Sequence, residues 1–138
     1  MNLSISMLDA EYQAYYRIGM NGFYSALVAQ LSRIAGADVT LGRGSVIVNH
    51  YQFTPNDTAI VFEGVVNPTG SEHSYAFKAV INLRNGAVEV FVPSGAEIND
   101  ADVASLEAVN QTIVDLGGEV EGQADAVEPN DSEAAPIL

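Results

Sequence analysis

"SYAFKAVINLRNGAVEVFV", residues 74–92, decides what kind of fold this chain can adopt. Its apolar and polar residues alternate with a period of two, the spacing of a strand with one buried face. Asn85-Gly86 in its middle is a favoured pair for a two-residue hairpin turn with positive φ at both positions. With that turn Leu83 faces Val88, Asn82 faces Glu89, Ile81 faces Val90 and Ala79 faces Val92. One face then holds Phe77, Ala79, Ile81, Leu83, Val88, Val90 and Val92, and the other Lys78, Asn82, Arg84 and Glu89. Alternation and turn agree on an antiparallel hairpin. Val80, opposite Phe91, interrupts the polar face, so something must cover that spot.

Upstream, "SVIVNHYQF" (45–53) and "TAIVFEGVV" (58–66) also read as strands, joined by the tight turn "TPND". The second is apolar on both sides, with Ile60, Phe62 and Val66 against Ala59, Val61 and Val65, as in a strand covered on both faces. Gly64 marks a candidate bulge. His50 falls on the side shared with Val46 and Val48. A helix, the C-terminal tail or another subunit would each serve as the cover over Val80 and Phe91.

Helices flank the strands. Over residues 8–35, Tyr16, Met20, Phe23, Leu27, Leu31 and Ile34 recur at steps of three and four, with Ser6 and Asp9 as a start and Gly36 as a stop. A second stripe of Tyr15, Gly19, Gly22, Ala26 and Ala29 is mostly small and lets another backbone approach; one long helix and two shorter ones both fit. Gly19, Gly22, Ala26, Val80 and Phe91 are therefore candidate subunit contacts. A second helix spans 100–116, capped by Asn99, with Asp100 and Asp102 at its positive end and Val103, Leu106, Val109, Ile113 and Leu116 buried. The expected architecture is α+β: an N-terminal helix, a four-stranded antiparallel meander sheet, a C-terminal helix and an acidic tail. Residues 1–117 form one α+β domain and 118–138 the tail.

Totals narrow the function. Cysteine is absent, which removes disulfides, thiolate zinc sites and a cysteine nucleophile. The N-terminus lacks the basic start and apolar run of a signal peptide, and no stretch approaches the ~20 apolar residues of a membrane span. A cytoplasmic or virion location is the expectation. His50, His73, Glu63 and Glu72 show no metal-ligand spacing, and "LGRGSV" (41–46) lacks the ending of a phosphate loop. No catalytic constellation, cofactor site or metal site emerges. Arg17, Arg33, Arg43, Lys78 and Arg84 are scattered, which argues against direct nucleic-acid binding.

The charge is polarised. Residues 1–96 hold seven acids and five bases, whereas residues 97–138 hold eleven acids and no base, together giving −13. The tail closes with "GGEVEGQADAVEPNDSEAAPIL" (117–138), an acidic stretch with an apolar tip. It resembles the acidic, apolar-tipped tails of bacterial single-stranded-DNA-binding proteins. The resemblance covers the tail alone, since the cationic groove and stacking aromatics of those proteins have no counterpart here. The expected partners are proteins: other copies, or further subunits of a larger assembly. Candidate partner-binding residues are Glu119, Glu121, Asp125, Glu128, Asp131, Glu133, Pro136, Ile137 and Leu138. The expected function is a non-enzymatic structural module, such as a capsid or virion decoration component, whose tail docks on a neighbouring subunit. The alternative is an acidic nucleic-acid mimic that inhibits a DNA- or RNA-binding protein.

Overall fold

The computed structural model describes residues 10–95 and 99–120. In chain order it contains helix α1 (Ala10–Ala35), strand β1 (Val46–Phe53), a 3-10 turn (Pro55–Asp57), and strands β2 (Ala59–Val66), β3 (Tyr75–Asn82) and β4 (Val88–Phe91), then helix α2 (Asp100–Asp115). The strands form one antiparallel meander in the order β1-β2-β3-β4, giving an α+β fold. Ser6 and Asp9, expected at the helix start, lie outside the described residues.

Helix α1 is continuous through both interior glycines, and its buried Tyr16, Gly19, Phe23, Leu27 and Leu31 line one face. Each glycine costs the helix about 1 kcal/mol, and the sheet explains why they are there. A Cβ at Gly19 would stand 2.4 Å from Ile81 Cγ2, and one at Gly22 would stand 2.9 Å from Val88 Cγ1. The small-residue stripe is therefore the seat for the chain's own sheet. Gly19 is buried there, Ala26 packs against the same core, and Gly22 is half-buried over Val88. The subunit-contact reading of Gly19, Gly22 and Ala26 gives way to this internal packing. With the backbones this close, the Phe23 ring reaches Phe62 (centroids 5.0 Å apart) and Phe77 (5.3 Å).

The opposite sheet face is covered by α2, whose Val109 and Ile113 pack on Ala59, Val80 and Phe91. Val80 and Phe91 are each 1% exposed, so their cover is a helix of the same chain and no neighbouring subunit is needed. A full capping box fixes the start of α2: Asp102 N donates to the Asn99 side chain, and Asn99 N donates to the Asp102 carboxylate. That carboxylate also accepts from Ser94 N and Oγ, which buries it.

The β3–β4 hairpin differs from expectation by two residues. Ile81 pairs with Val88 and Ala79 with Val90, and the loop comprises residues 83–86. Asn82 N donates to Ala87 O, and Gly86 N to Asn82 O, each at 2.8 Å. Gly86 alone has positive φ in this loop (81°). The longer turn prevails because Asn82 Oδ1 accepts from Arg84 N and Asn85 Oδ1 from Ala87 N, which replaces ladder bonds with local ones. A slip of two residues keeps every side chain on its face, so Leu83 and Val90 remain in the core.

Gly19→Ala would gain helix propensity yet force a methyl group into Ile81. A net loss of about 1–3 kcal/mol in urea unfolding is expected, and in an Ile81→Ala background, where both clashing γ carbons are gone, the same substitution should cost little or nothing. Tyr16 gives a second test. Burial, then the nearby Tyr24, pushes its phenol up to about 12. The unfolded chain ionises first, near the ordinary value of about 10. The stability that depends on the neutral phenol is therefore complete below pH 10 and lost between about pH 10 and 12. Tyr16→Phe should flatten that part of an alkaline stability profile relative to the wild type.

Candidate functional site

The site begins with an irregularity in β1. Val48 pairs with Gly64 but His50 pairs with Glu63, so Asn49 is an extra residue, a β-bulge. A bulge reverses the alternation of the strand beyond it. Val46 and Val48 before it, and Tyr51 and Phe53 after it, all join the α1-side core. His50, expected beside Val46 and Val48, is turned to the other face. Gly64 sits opposite the bulge, where a Cβ would lie 1.9 Å from Ile47 O. The glycine signals the bulge, but the extra residue is in the partner strand.

The corrected register lines up His50, Glu63, Lys78 and Phe91 across all four strands, with Gln52, Val61, Val80 and Glu89 in the next row. Helix α2 lies over the β3 and β4 ends of these rows. The β1 and β2 ends border a cleft of about 310 Å³. Its sheet side is lined by His50, Gln52, Val61, Glu63 and Lys78, and its other side by Ile113 and residues 118–120.

Lys78 is the unusual residue in the cleft. Its side chain is 1% exposed, and Nζ donates to Asn110 Oδ1 of α2 at 2.5 Å. Moving an ammonium out of water is costly unless polar partners replace the solvent. Asn110 supplies one such partner, and Glu63 is the cross-strand neighbour in register. Sequence alternation puts Lys78 on the correct face but reads it as solvated. The missed signal is its position two residues from Val80: a cover that buries Val80 extends over the lysine too.

The end of α2 is tied down beside the cleft. Thr58 Oγ1 donates to Leu116 O, Thr54 and Thr58 share a 2.6 Å hydroxyl contact, and Ala59 N donates to Thr54 Oγ1. Gly117 at φ 95° ends the helix, and Gly118 N returns to Ile113 O at 2.9 Å. The chain then runs along the cleft, with Glu119 exposed and Val120 packed against the apolar cluster between α2 and the sheet. Glu121, Asp125, Glu128, Asp131, Glu133, Pro136, Ile137 and Leu138 lie outside the described residues.

Other sequence candidates are not brought to this site. His73 and Glu72 sit in the β2–β3 loop, where the His73 carbonyl accepts from Asn67 Nδ2 at 2.7 Å. Arg43 is exposed in a turn, and Arg84 is held by Asn56 O and the Tyr12 ring. Among the described residues, no group of three or more His, Asp or Glu is placed to hold a metal. No helix among them is long and apolar enough to cross a membrane. Neither a family model, a curated protein nor a solved structure matches the chain.

The Lys78–Asn110 contact is open to direct measurement. Asn110→Ala should cost roughly 1.5–3 kcal/mol, the range for a hydrogen bond to a charged group. Lys78→Met, which keeps the length and removes the charge, should make Asn110→Ala nearly neutral. A double-mutant cycle in urea would read that coupling.

Proposed function

We propose that this chain is a non-enzymatic structural module that joins protein subunits, with residues 118–138 acting as a tether to a neighbour. The observation that supports this reading is where the chain leaves the fold. Residues 118–120 run along the cleft on the second sheet face, beside the β1 and β2 ends that α2 leaves uncovered. The tail is thus launched from the sparsely covered side of the sheet.

Chain length and charge fit a tether. The 18 residues beyond Val120 span at most about 60 Å when extended, enough to reach an adjoining subunit. Five of them are acidic (Glu121, Asp125, Glu128, Asp131 and Glu133) and none is basic, the composition of a solvated linker. Burial of Ile137 and Leu138 contributes roughly 3–6 kcal/mol at most. Alone that gives affinity near the millimolar range or somewhat better; in an assembly many copies act together and the small increment suffices. A capsid or virion surface is the assembly this profile fits best.

Deleting Pro136, Ile137 and Leu138 removes the clip and leaves the described fold intact. Light scattering should show weaker association with itself or with the partner subunit, at unchanged midpoint of urea unfolding. Association equal to that of the full chain would refute the tether.

A further inference from the structure

The two edges of the sheet differ. Edge strand β4 spans only Val88–Phe91. Asn82 N donates to Ala87 O, so by antiparallel alternation Val80/Glu89 and Lys78/Phe91 are the bonded pairs and Val90 points outward. Its carbonyl is occupied by Gln30 Nε2 of α1 at 2.9 Å. That edge is short and partly capped.

Edge strand β1 spans eight residues, "VIVNHYQF", without Lys, Arg, Asp, Glu or Pro, the residues that usually guard an edge. Thr54 N donates to Ala59 O, so Gln52/Val61 and His50/Glu63 are the inward pairs. The N–H and C=O groups of Tyr51 and Phe53 therefore point away from the sheet. Among the described residues no strand pairs with them. Both helices make their main sheet contacts with β3 and β4, so neither guards this edge.

We propose that β1 pairs antiparallel with β1 of a second copy, joining two four-stranded sheets across a twofold axis. The bulge at Asn49 breaks the spacing toward Val48, so Tyr51 and Phe53 are the longest regular pair of outward groups. The axis accordingly passes at Gln52: Tyr51 of one copy faces Phe53 of the other, and the two Gln52 side chains meet. Register favours a second copy, because the outward groups of Tyr51 and Phe53, centred on Gln52, complement themselves about a twofold axis, and charge does not oppose it. The whole chain carries −13, so copies repel wherever their acids approach, yet residues 39–56 contain no acid and only Arg43 among the bases. Self-pairing needs an uncharged strip, and β1 lies within it. This contact is separate from the tail tether and stands or falls independently of it.

Gln52 is exposed, so charging it leaves the core untouched. Sedimentation equilibrium over a range of concentrations, in moderate salt, would compare the chain with Gln52→Lys, Gln52→Glu and their equimolar mixture, each lacking Pro136–Leu138 to silence the tether. The unsubstituted chain should dimerise. Each variant alone should dimerise about fivefold or more weakly, because like charges meet on the axis, and the mixture should recover as a heterodimer. A chain that stays monomeric throughout would overturn the proposal. So would a dimer indifferent to both substitutions, which would place the contact elsewhere.

Discussion

Burial of β3 on both faces is the constraint on which the structure depends. Phe77, Lys78, Ala79, Val80 and Ile81 are all buried in succession. A lone sheet of this size would expose one side of that strand; two helices are needed to enclose it. Helix α1 can lie flat on Ile81 because it offers Gly19 there, and α2 encloses Val80 by bringing Val109 and Ile113 onto it. Enclosing Val80 also encloses Lys78, and Asn110 on the same helix supplies the acceptor its ammonium then requires. The glycines, the cap at Asn99 and the buried lysine all follow from covering one strand twice.

The same arrangement leaves the sheet lopsided. With both helices concentrated over β3 and β4, the β1 end extends past its cover, and Ile47 there is 55% exposed. The bulge at Asn49 turns His50 and Gln52 to the side where the chain leaves the fold, so a cleft, a strand edge unpaired among the described residues and the root of the acidic segment gather at one end. A protein whose sole role was to be a stable globule would gain by capping that edge, as Gln30 does at β4. An edge strand without charged residues, beside the root of an acidic segment, instead fits the proposal of a part completed by neighbours.

Much of the fold was legible because period-two alternation survives errors of detail. The hairpin register came out two residues away, yet each side chain kept its face, since a shift of two is invisible to the pattern. The α2 cap was legible for a different reason: Asn99 and Asp102 act locally, within one turn of helix. The bulge was legible only from its partner strand, through Gly64, and not in the strand that carries the extra residue. One extra residue in β1 reverses every assignment beyond it, and "VIVNHYQF" contains nothing that marks Asn49 as the unpaired one. The burial of Lys78 depends on where α2 lands, which is a long-range fact that no window of sequence contains. The candidate site was accordingly the part least visible in advance, because it rests on both.

The central claim, a doubly enclosed β3 beside an unguarded β1 edge, is tested most directly by amide hydrogen exchange at single-residue resolution across a dilution series. The account predicts the slowest exchange at Lys78, Ala79 and Val80 at every concentration. It predicts that Tyr51 and Phe53 exchange rapidly when dilute and become protected as concentration rises. Strong protection of Tyr51 and Phe53 even at high dilution, or exchange at β3 as fast as at β1, would contradict it.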